Sequence, residues 1–273
     1  MKGSALISII MPAYNAAEFI SEAIDSVLTQ DYPHWELLII NDGSKDHTAR
    51  VIEKYTDPRI RTFHTENRGV SKARNTGLAA MHGDYFTFLD ADDLLTKDSL
   101  SVRMKLFEVH PEISFVEGGI EIVESKSGRV LSKHFPNYQG PPRSELIALS
   151  GRCFVSVGWM IKRDAHKVYQ FPENMSHAED LVFFISISEK GLYRSCAEVV
   201  MQVRRFGKSA MSNLHALEKG YAQLIDYSKT LVNIRQSELI AMADKIRVIM
   251  FKSYLRRGYF WRAILVFFRG VKA

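Results

Sequence analysis

The chain is short of cysteine, with Cys153 and Cys196 the only two in 273 residues. They form no CxxC spacing and have no closely spaced histidines beside them, so neither a structural zinc site nor a disulfide framework is indicated. Such cysteine usage suits the reduced cytosol. No stretch approaches the roughly 18 apolar residues a membrane-spanning helix needs, so a soluble or peripheral protein is expected. The apolar run Ala5 to Met11 leads straight into Pro12-Ala13-Tyr14-Asn15 without a small-residue cleavage pattern, and reads as a first strand rather than a signal peptide. No Gly-x-Gly-x-x-Gly follows that strand, which excludes a dinucleotide oxidoreductase. Internal repeats and low-complexity tracts are missing too. Acidic residues are absent after Asp244, where eight cations follow: Lys245, Arg247, Lys252, Arg256, Arg257, Arg262, Arg269 and Lys272. Setting these eight aside from the 36 Lys and Arg leaves 28 against 31 Asp and Glu, so residues 1–244 carry a formal −3. The net charge of +5 resides in the tail.

What remains is an ordinary globular composition, 46% hydrophobic, enough to bury one large domain or one domain with appendages. The first hundred residues alternate strand and helix signals over short connections. Strands are expected at Leu6 to Met11, Trp35 to Ile40, Ile60 to His64 and Tyr85 to Leu89, with helices from Asn15 to about Thr29, Asp46 to Tyr55 and Ser71 to Met81. Asn15 with Glu18 three residues on resembles a capping box, and Phe19, Ile20, Ala23, Ile24, Val27 and Leu28 share one helical face. This βαβαβαβ pattern predicts a mostly parallel sheet with helices on both faces. Further on, Phe115 to Val123 and Arg129 to Lys133 flank a turn and read as a hairpin, Gln139-Gly140-Pro141-Pro142 is a breaker, Ser156 to Lys162 a strand, Glu179 to Lys190 a helix, and Ala197 to Arg204 a last strand. From Leu214 on the pattern is helical.

Phe88-Leu89-Asp90-Ala91-Asp92-Asp93 places three carboxylates directly after a buried strand, at the edge where open α/β sheets hold their ligands. Hard divalent cations take oxygen ligands, commonly one or two protein carboxylates with substrate phosphates completing the shell. Alone, the cluster serves equally as a turn or a helix cap. Asn41-Asp42-Gly43-Ser44 has the same two readings, but Asp42 ends the second strand as Asp90 ends the fourth, so both acids should emerge on one edge of the sheet.

The run Ile9 to Asn15, then Asn41-Asp42-Gly43-Ser44, then Asn67-Arg68-Gly69-Val70-Ser71-Lys72-Ala73-Arg74-Asn75-Thr76-Gly77, then Asp90-Ala91-Asp92-Asp93, resembles family 2 glycosyltransferases in order and spacing. The resemblance is strong over residues 5–100, patchier to residue 212, and does not cover the tail. It implies an α/β GT-A fold, with a Rossmann-like mixed sheet flanked by helices and a helical C-terminal extension. It also implies an enzyme that moves a sugar from a nucleoside-diphosphate donor, foremost a UDP-sugar, to a hydroxyl of a glycan or lipid-linked glycan, with inversion and with Mn²⁺ or Mg²⁺. By the same resemblance, Asp42 accepts a hydrogen bond from the base, Pro12, Tyr14 and Asn15 wall the nucleoside pocket, and Arg74 lies near the nucleotide. Asp90 and Ala91 complete the nucleotide-sugar set, and Asp92 binds the metal. Asp93 caps the next helix or borders the acceptor. Glu179-Asp180 before Leu181-Val182-Phe183-Phe184 resembles the family's Glu-Asp motif, with Asp180 the catalytic base and Glu179 on the acceptor side. Arg204, Arg205 and Lys208 belong to a basic loop over the diphosphate; a His common in that loop is replaced by Phe206.

The division expected is 1–212 as the catalytic domain, with 1–100 its nucleotide-binding half and 101–212 its acceptor-binding half, and 213–273 as a basic amphipathic extension. Residues 245–272 suit either peripheral contact with anionic lipid at the inner face of the cytoplasmic membrane or a terminal helical pair packed on the body. Nucleic-acid binding is not expected. A noncatalytic nucleotide-sugar-binding protein, keeping Asp42 and Asp92 without the base, is the alternative function.

Overall fold

Two neighbouring strands, β1 (Ile7–Ala13) and β2 (Trp35–Asp42), are buried from end to end. Both faces are covered, which is why they run apolar without the in-out alternation of a half-solvated strand. Glu36 is tolerated there because Ser8 Oγ donates to it at 2.7 Å, the His82 N–H at 2.6 Å and Arg61 at 3.1 Å.

The computed structural model describes residues 5–175, 177–205, 213–231 and 233–271. The described residues of Met1–Pro142, Arg152–Gln170 and Lys190–Phe206 make one compact unit, and those of Arg143–Gly151, Phe171–Glu189 and Gly207–Ala273 a second.

The first unit is built on one mixed sheet. Besides β1 and β2 it contains β3 (Ile60–Thr65), β4 (Tyr85–Phe88), β5 (Leu94–Leu95), β6 (Ile113–Glu124), β7 (Val130–His134), β8 (Gln139–Gly140), β9 (Met160–Lys162) and β10 (Leu192–Arg205). The strand order is β3-β2-β1-β4-β9-β6-β10-β5, with β7 on β6 and β8 on β10. β3, β2, β1 and β4 are parallel, as the alternating pattern predicts. β9 then runs antiparallel to both β4 and β6. The expected hairpin is present as β6 against β7.

Among its described residues four helices complete this unit: α1 (Ile20–Leu28), α2 (Thr48–Ile52), α3 (Val70–Ala80) and α4 (Ser99–Val109). α1 buries Ile20, Ala23, Ile24 and Val27, and each larger side chain contributes about 1.5–3 kcal/mol by leaving water. α3 lies close on the sheet because a Cβ at Gly77 would meet Ile10 Cγ2 at 2.5 Å and Ile40 Cδ1 at 3.0 Å.

Several sequence expectations shift. α1 starts at Ile20, not Asn15. Asn15 sits at φ 49, and its Oδ1 accepts from the Lys45 N–H at 2.8 Å, so a tertiary donor claims the group that a cap would use. α2 is shorter than Asp46 to Tyr55: its N-cap position is His47, and Asp46 just before it accepts from the Thr48 N–H at 2.9 Å. The stretch after Asp93 is not helical at once: Leu94–Leu95 pairs with Met201 and Gln202 before α4 begins. β10 begins at Leu192, five residues earlier than read, because its first half also has partners in β6 and β8.

The second unit is helical: α5 (Arg143–Ile147), α6 (Glu179–Ile187), α7 (Leu214–Lys229), α8 (Gln236–Arg256) and α9 (Phe260–Arg269). α6 buries Val182, Phe183, Phe184, Ile185 and Ile187, and Phe183 stacks on Phe171 with ring centroids 4.0 Å apart. α8 buries Met242, Ile246, Met250 and Tyr254, one residue per turn on a single face. No helix among the described residues is long and apolar enough to cross a membrane.

Candidate functional site

Strand register fixes where the motifs emerge. Ala13 pairs with Asn41, and Ile10 with Phe88. The segments after β1, β2 and β4 therefore leave the sheet side by side, and the acids following β2 and β4 share one edge. A cleft of about 460 Å³ opens there, lined by Pro12, Tyr14, Asn15, Asp42, Asn67, Gly69, Asp90, Ala91 and Asp92 among others. Every motif of the first hundred residues contributes to it.

Asp42 is almost fully buried at one side of the cleft. Its Oδ1 accepts from the Arg68 N–H at 3.0 Å and Thr65 Oγ1 at 3.3 Å, and its Oδ2 from the Gly69 N–H at 2.8 Å. The carboxylate thus folds the 65–69 loop as well as facing the cleft. Gly43, at φ +66, lets this loop approach: a Cβ there would lie 2.6 Å from Asn67 N.

Asp90 and Asp92 contribute the acidic side. Burial raises the Asp92 carboxyl above its usual value, and the charge of Asp90 adds to the effect. Asp93 is pushed up to about 8 by burial and by Asp90 and Asp92. Asp93 does not cap α4, whose N-cap position is Asp98. It accepts from the Arg204 N–H at 2.9 Å instead, tying the acidic loop to β10.

Two predicted phosphate-side arginines are held by protein groups. Arg74 is 3% exposed and donates to Asp90 Oδ1 at 2.9 Å, standing behind that carboxylate instead of lining the cleft. Arg204 is buried as well. Its guanidinium donates to the Asp92 carbonyl, to Glu22 Oε2 at 2.8 Å and to the Phe19 carbonyl at 3.1 Å, so it braces the acidic loop against the start of α1. Arg205 is exposed at the end of β10. Lys208 and Phe206 lie outside the described residues.

Glu179 and Asp180 occupy the first turn of α6, half-buried in the second unit. Ala178 precedes them at φ 60, and the Leu181 N–H donates to Asp180 Oδ1 at 2.7 Å. α7 packs tightly on this turn, since a Cβ at Gly220 would sit 2.5 Å from the His177 carbonyl oxygen. The Asp180 charge adds to burial in raising the Tyr221 hydroxyl.

The cleft also uses residues that the motif reading passed over: Ala13, Ala16, Phe19, Asn67, Gly69, Val70 and Ala73. Asn67 to Ala73 fall inside a quoted motif and could have been named from it. Phe19 carried no such signal, being indistinguishable from the apolar face of α1.

The sequence matches the family described as Glycosyl transferase family 2 over residues 8–169, more than half of the chain. It is 33% identical over 184 residues to the UDP-Glc:alpha-D-GlcNAc-diphosphoundecaprenol beta-1,3-glucosyltransferase WfgD of Escherichia coli, covering 67% of this chain and 69% of that one. It spans about a third of the length of the rickettsial glycosyltransferases it also matches. Among solved structures, S. aureus TarS 1–349 in complex with UDP-GlcNAc is similar at a TM-score of 0.72 and 18% identity, covering 97% of this chain and 81% of that one. The mannosyltransferase PcManGT of Pyrobaculum calidifontis, in complex with GDP-Man and Mn²⁺, gives 0.65 at 18% identity, covering 100% and 77%. These two likenesses show the shared GT-A fold. With the motifs of the first hundred residues gathered in one cleft and the family match running through all four of them, the chain belongs to glycosyl transferase family 2.

Proposed function

We propose that this chain is a glycosyltransferase moving a sugar from a nucleoside-diphosphate donor, foremost a UDP-sugar, to a hydroxyl of a glycan or lipid-linked glycan. The observation that carries this reading is the cleft, with Asp42 and the 67–70 loop on one side and Asp90 and Asp92 on the other. The UDP-GlcNAc bound to TarS and the donor and diphosphoundecaprenol acceptor in WfgD's name support the donor and acceptor classes. A lipid-linked acceptor would set the enzyme at the inner face of the cytoplasmic membrane.

The residues divide the work. Asp42 accepts from the base through the lone pair its loop leaves over, while Pro12, Tyr14 and Asn15 wall the nucleoside. Asp92, with Asp90 beside it, offers all-oxygen donors suited to Mn²⁺ or Mg²⁺. No group of three or more His, Cys, Asp or Glu side chains arranged to hold a metal ion occurs among the described residues, so diphosphate oxygens would complete the shell. The Mn²⁺ in the PcManGT complex supports a divalent metal. When bound, the cation supplies charge neutralisation for the departing diphosphate. Arg74 and Arg204 position Asp90 and the acidic loop. Asp180 takes the proton of the acceptor hydroxyl as its oxygen attacks the anomeric carbon. A single base without an enzyme nucleophile gives inversion.

Calorimetry with UDP, GDP, dTDP and their sugars, with and without Mn²⁺, tests the donor assignment; metal-dependent binding of one nucleotide class is expected. Asp180→Asn should retain that binding and lose turnover by about a hundredfold or more. Turnover surviving with a small loss would remove Asp180 from the base role. Donor binding by the unmodified chain without turnover on any glycan acceptor would make it a noncatalytic binder.

A further inference from the structure

On α9 the periodic apolar stripe faces outward. Trp261, Ile264, Leu265 and Phe268 recur at i, i+3, i+4 and i+7, the spacing of one helical face. All four are exposed, Trp261 to 82% and Phe268 to 78%. The side turned inward presents only Ala263 and Val266 as buried residues. A helix ordinarily turns its apolar stripe to the core, so something other than that stripe sets the orientation of α9.

Polar anchors set it. Arg262 donates to buried Glu218 on α7, at 2.8 Å to Oε1 and 2.9 Å to Oε2, and Tyr254 of α8 donates to the same carboxylate at 2.6 Å. Gly258, at φ +79, reverses the chain between α8 and α9. The Tyr259 N–H bonds the Tyr254 carbonyl at 3.0 Å and the Gly258 N–H bonds that of Leu255 at 3.0 Å, the paired bonds of a Schellman turn. Rotating α9 to bury its stripe would tear Arg262 from a carboxylate that is itself out of water, at a cost larger than exposed ion pairs carry.

The exposed charges carried by α9 and by the last turns of α8 have one sign. Lys252 and Arg256 near the end of α8 and Arg269 at the end of α9 are exposed, and no acid follows Asp244 in the sequence. Exposed cations on the same two helices as an exposed aromatic stripe complement an anionic lipid surface. There, Trp and Phe settle at the headgroup boundary and each Lys or Arg gains from lipid phosphates. We propose that α9 and the end of α8 form a docking surface for an anionic bilayer, with Trp261 and Phe268 inserted and Lys252, Arg256 and Arg269 against the headgroups.

The test uses the full chain with vesicles of phosphatidylcholine alone, or containing about a third phosphatidylglycerol. Co-sedimentation with the anionic vesicles, weakening as salt is added, is expected. A blue shift of tryptophan emission should accompany it, and that shift reports on α9 because Trp35 and Trp159 are already buried. Trp261→Ser with Phe268→Ser should weaken vesicle binding by about tenfold or more, with circular dichroism and donor-nucleotide binding unchanged. Lys252→Gln with Arg256→Gln and Arg269→Gln should abolish the preference for anionic over neutral vesicles. Three results would each overturn the proposal: no co-sedimentation of folded protein, binding undiminished in the aromatic double variant, or emission already blue-shifted without vesicles in a concentration-dependent dimer. The last would assign the face to a second copy of the chain.

Discussion

Glu117, in the middle of β6, is fully buried, and its protonation makes stability depend on pH. Its Oε1 accepts from the Val155 N–H at 3.2 Å and the Ser156 N–H at 3.1 Å, and its Oε2 accepts from Tyr193 at 3.0 Å. Burial raises this carboxyl from 4.5 to about 8, outweighing those donors. Arg103, also buried, gives its hydrogen bonds to Ser99, Thr87 and Gly158, none to Glu117. The folded chain therefore keeps a proton that the unfolded chain has released from pH 4.5 upward. Stability from this group is full below about pH 4.5, falls by about 1.4 kcal/mol per pH unit as pH rises, and levels off above about 8. By pH 7 the loss is about 3 kcal/mol. Glu117→Gln keeps the shape and an acceptor oxygen but has no proton to hold. It should match the unmodified chain near pH 4.5, exceed it by about 3 kcal/mol at pH 7, and lose Glu117's share of the slope between, leaving that of Asp93. Urea denaturation of both proteins across pH 5 to about 8 measures this directly. If the Gln variant were instead less stable at pH 7 by about 3 to 5 kcal/mol, Glu117 would be ionised and compensated by Arg103, and the argument would fail.

Three further outcomes are expected. Gly43→Ala should cost about 1 to 3 kcal/mol, because a Cβ at φ +66 is strained and here strikes backbone; melting combined with UDP calorimetry should show loss of both stability and binding as the 65–69 loop moves. Arg204→Met should cost about 2 to 4 kcal/mol by stripping donors from the Asp92 and Phe19 carbonyls, and should weaken metal-dependent donor binding by roughly tenfold; unchanged affinity in a destabilised protein would show that the acidic loop needs no brace. Gly220→Ala forces α7 away from His177, and should lower kcat about tenfold or more while leaving donor affinity intact. A loss of donor affinity instead would disconnect the α6 start from the chemical step.

The parallel half of the sheet was legible because its strands are short apolar runs ended by Asn, Asp, Gly and Pro, signals that need no tertiary knowledge. The shared edge of Asp42 and Asp90 followed from strand order alone. What was not legible depended on partners distant in sequence. Asn15 carries a good capping group, but the Lys45 N–H reaches it first. Arg74 and Arg204 look from sequence like free phosphate ligands; the structure shows them occupied by Asp90, Glu22 and two carbonyls. No sequence feature marks Glu117 as buried, since one Glu in a strand is ordinarily its solvent face. The outward turn of α9 was equally hidden, because periodicity identifies a stripe but not the direction it faces.

Asp42 shows how the cleft is organised in time. Its carboxylate is committed to the Arg68 and Gly69 N–H groups and to Thr65 before any ligand arrives. The entropy of ordering that loop is spent during folding, so none of it need be withdrawn from the affinity of an incoming ligand. A ligand entering at this end would meet a wall already set, and its fit would be judged against a loop that folding has put in place.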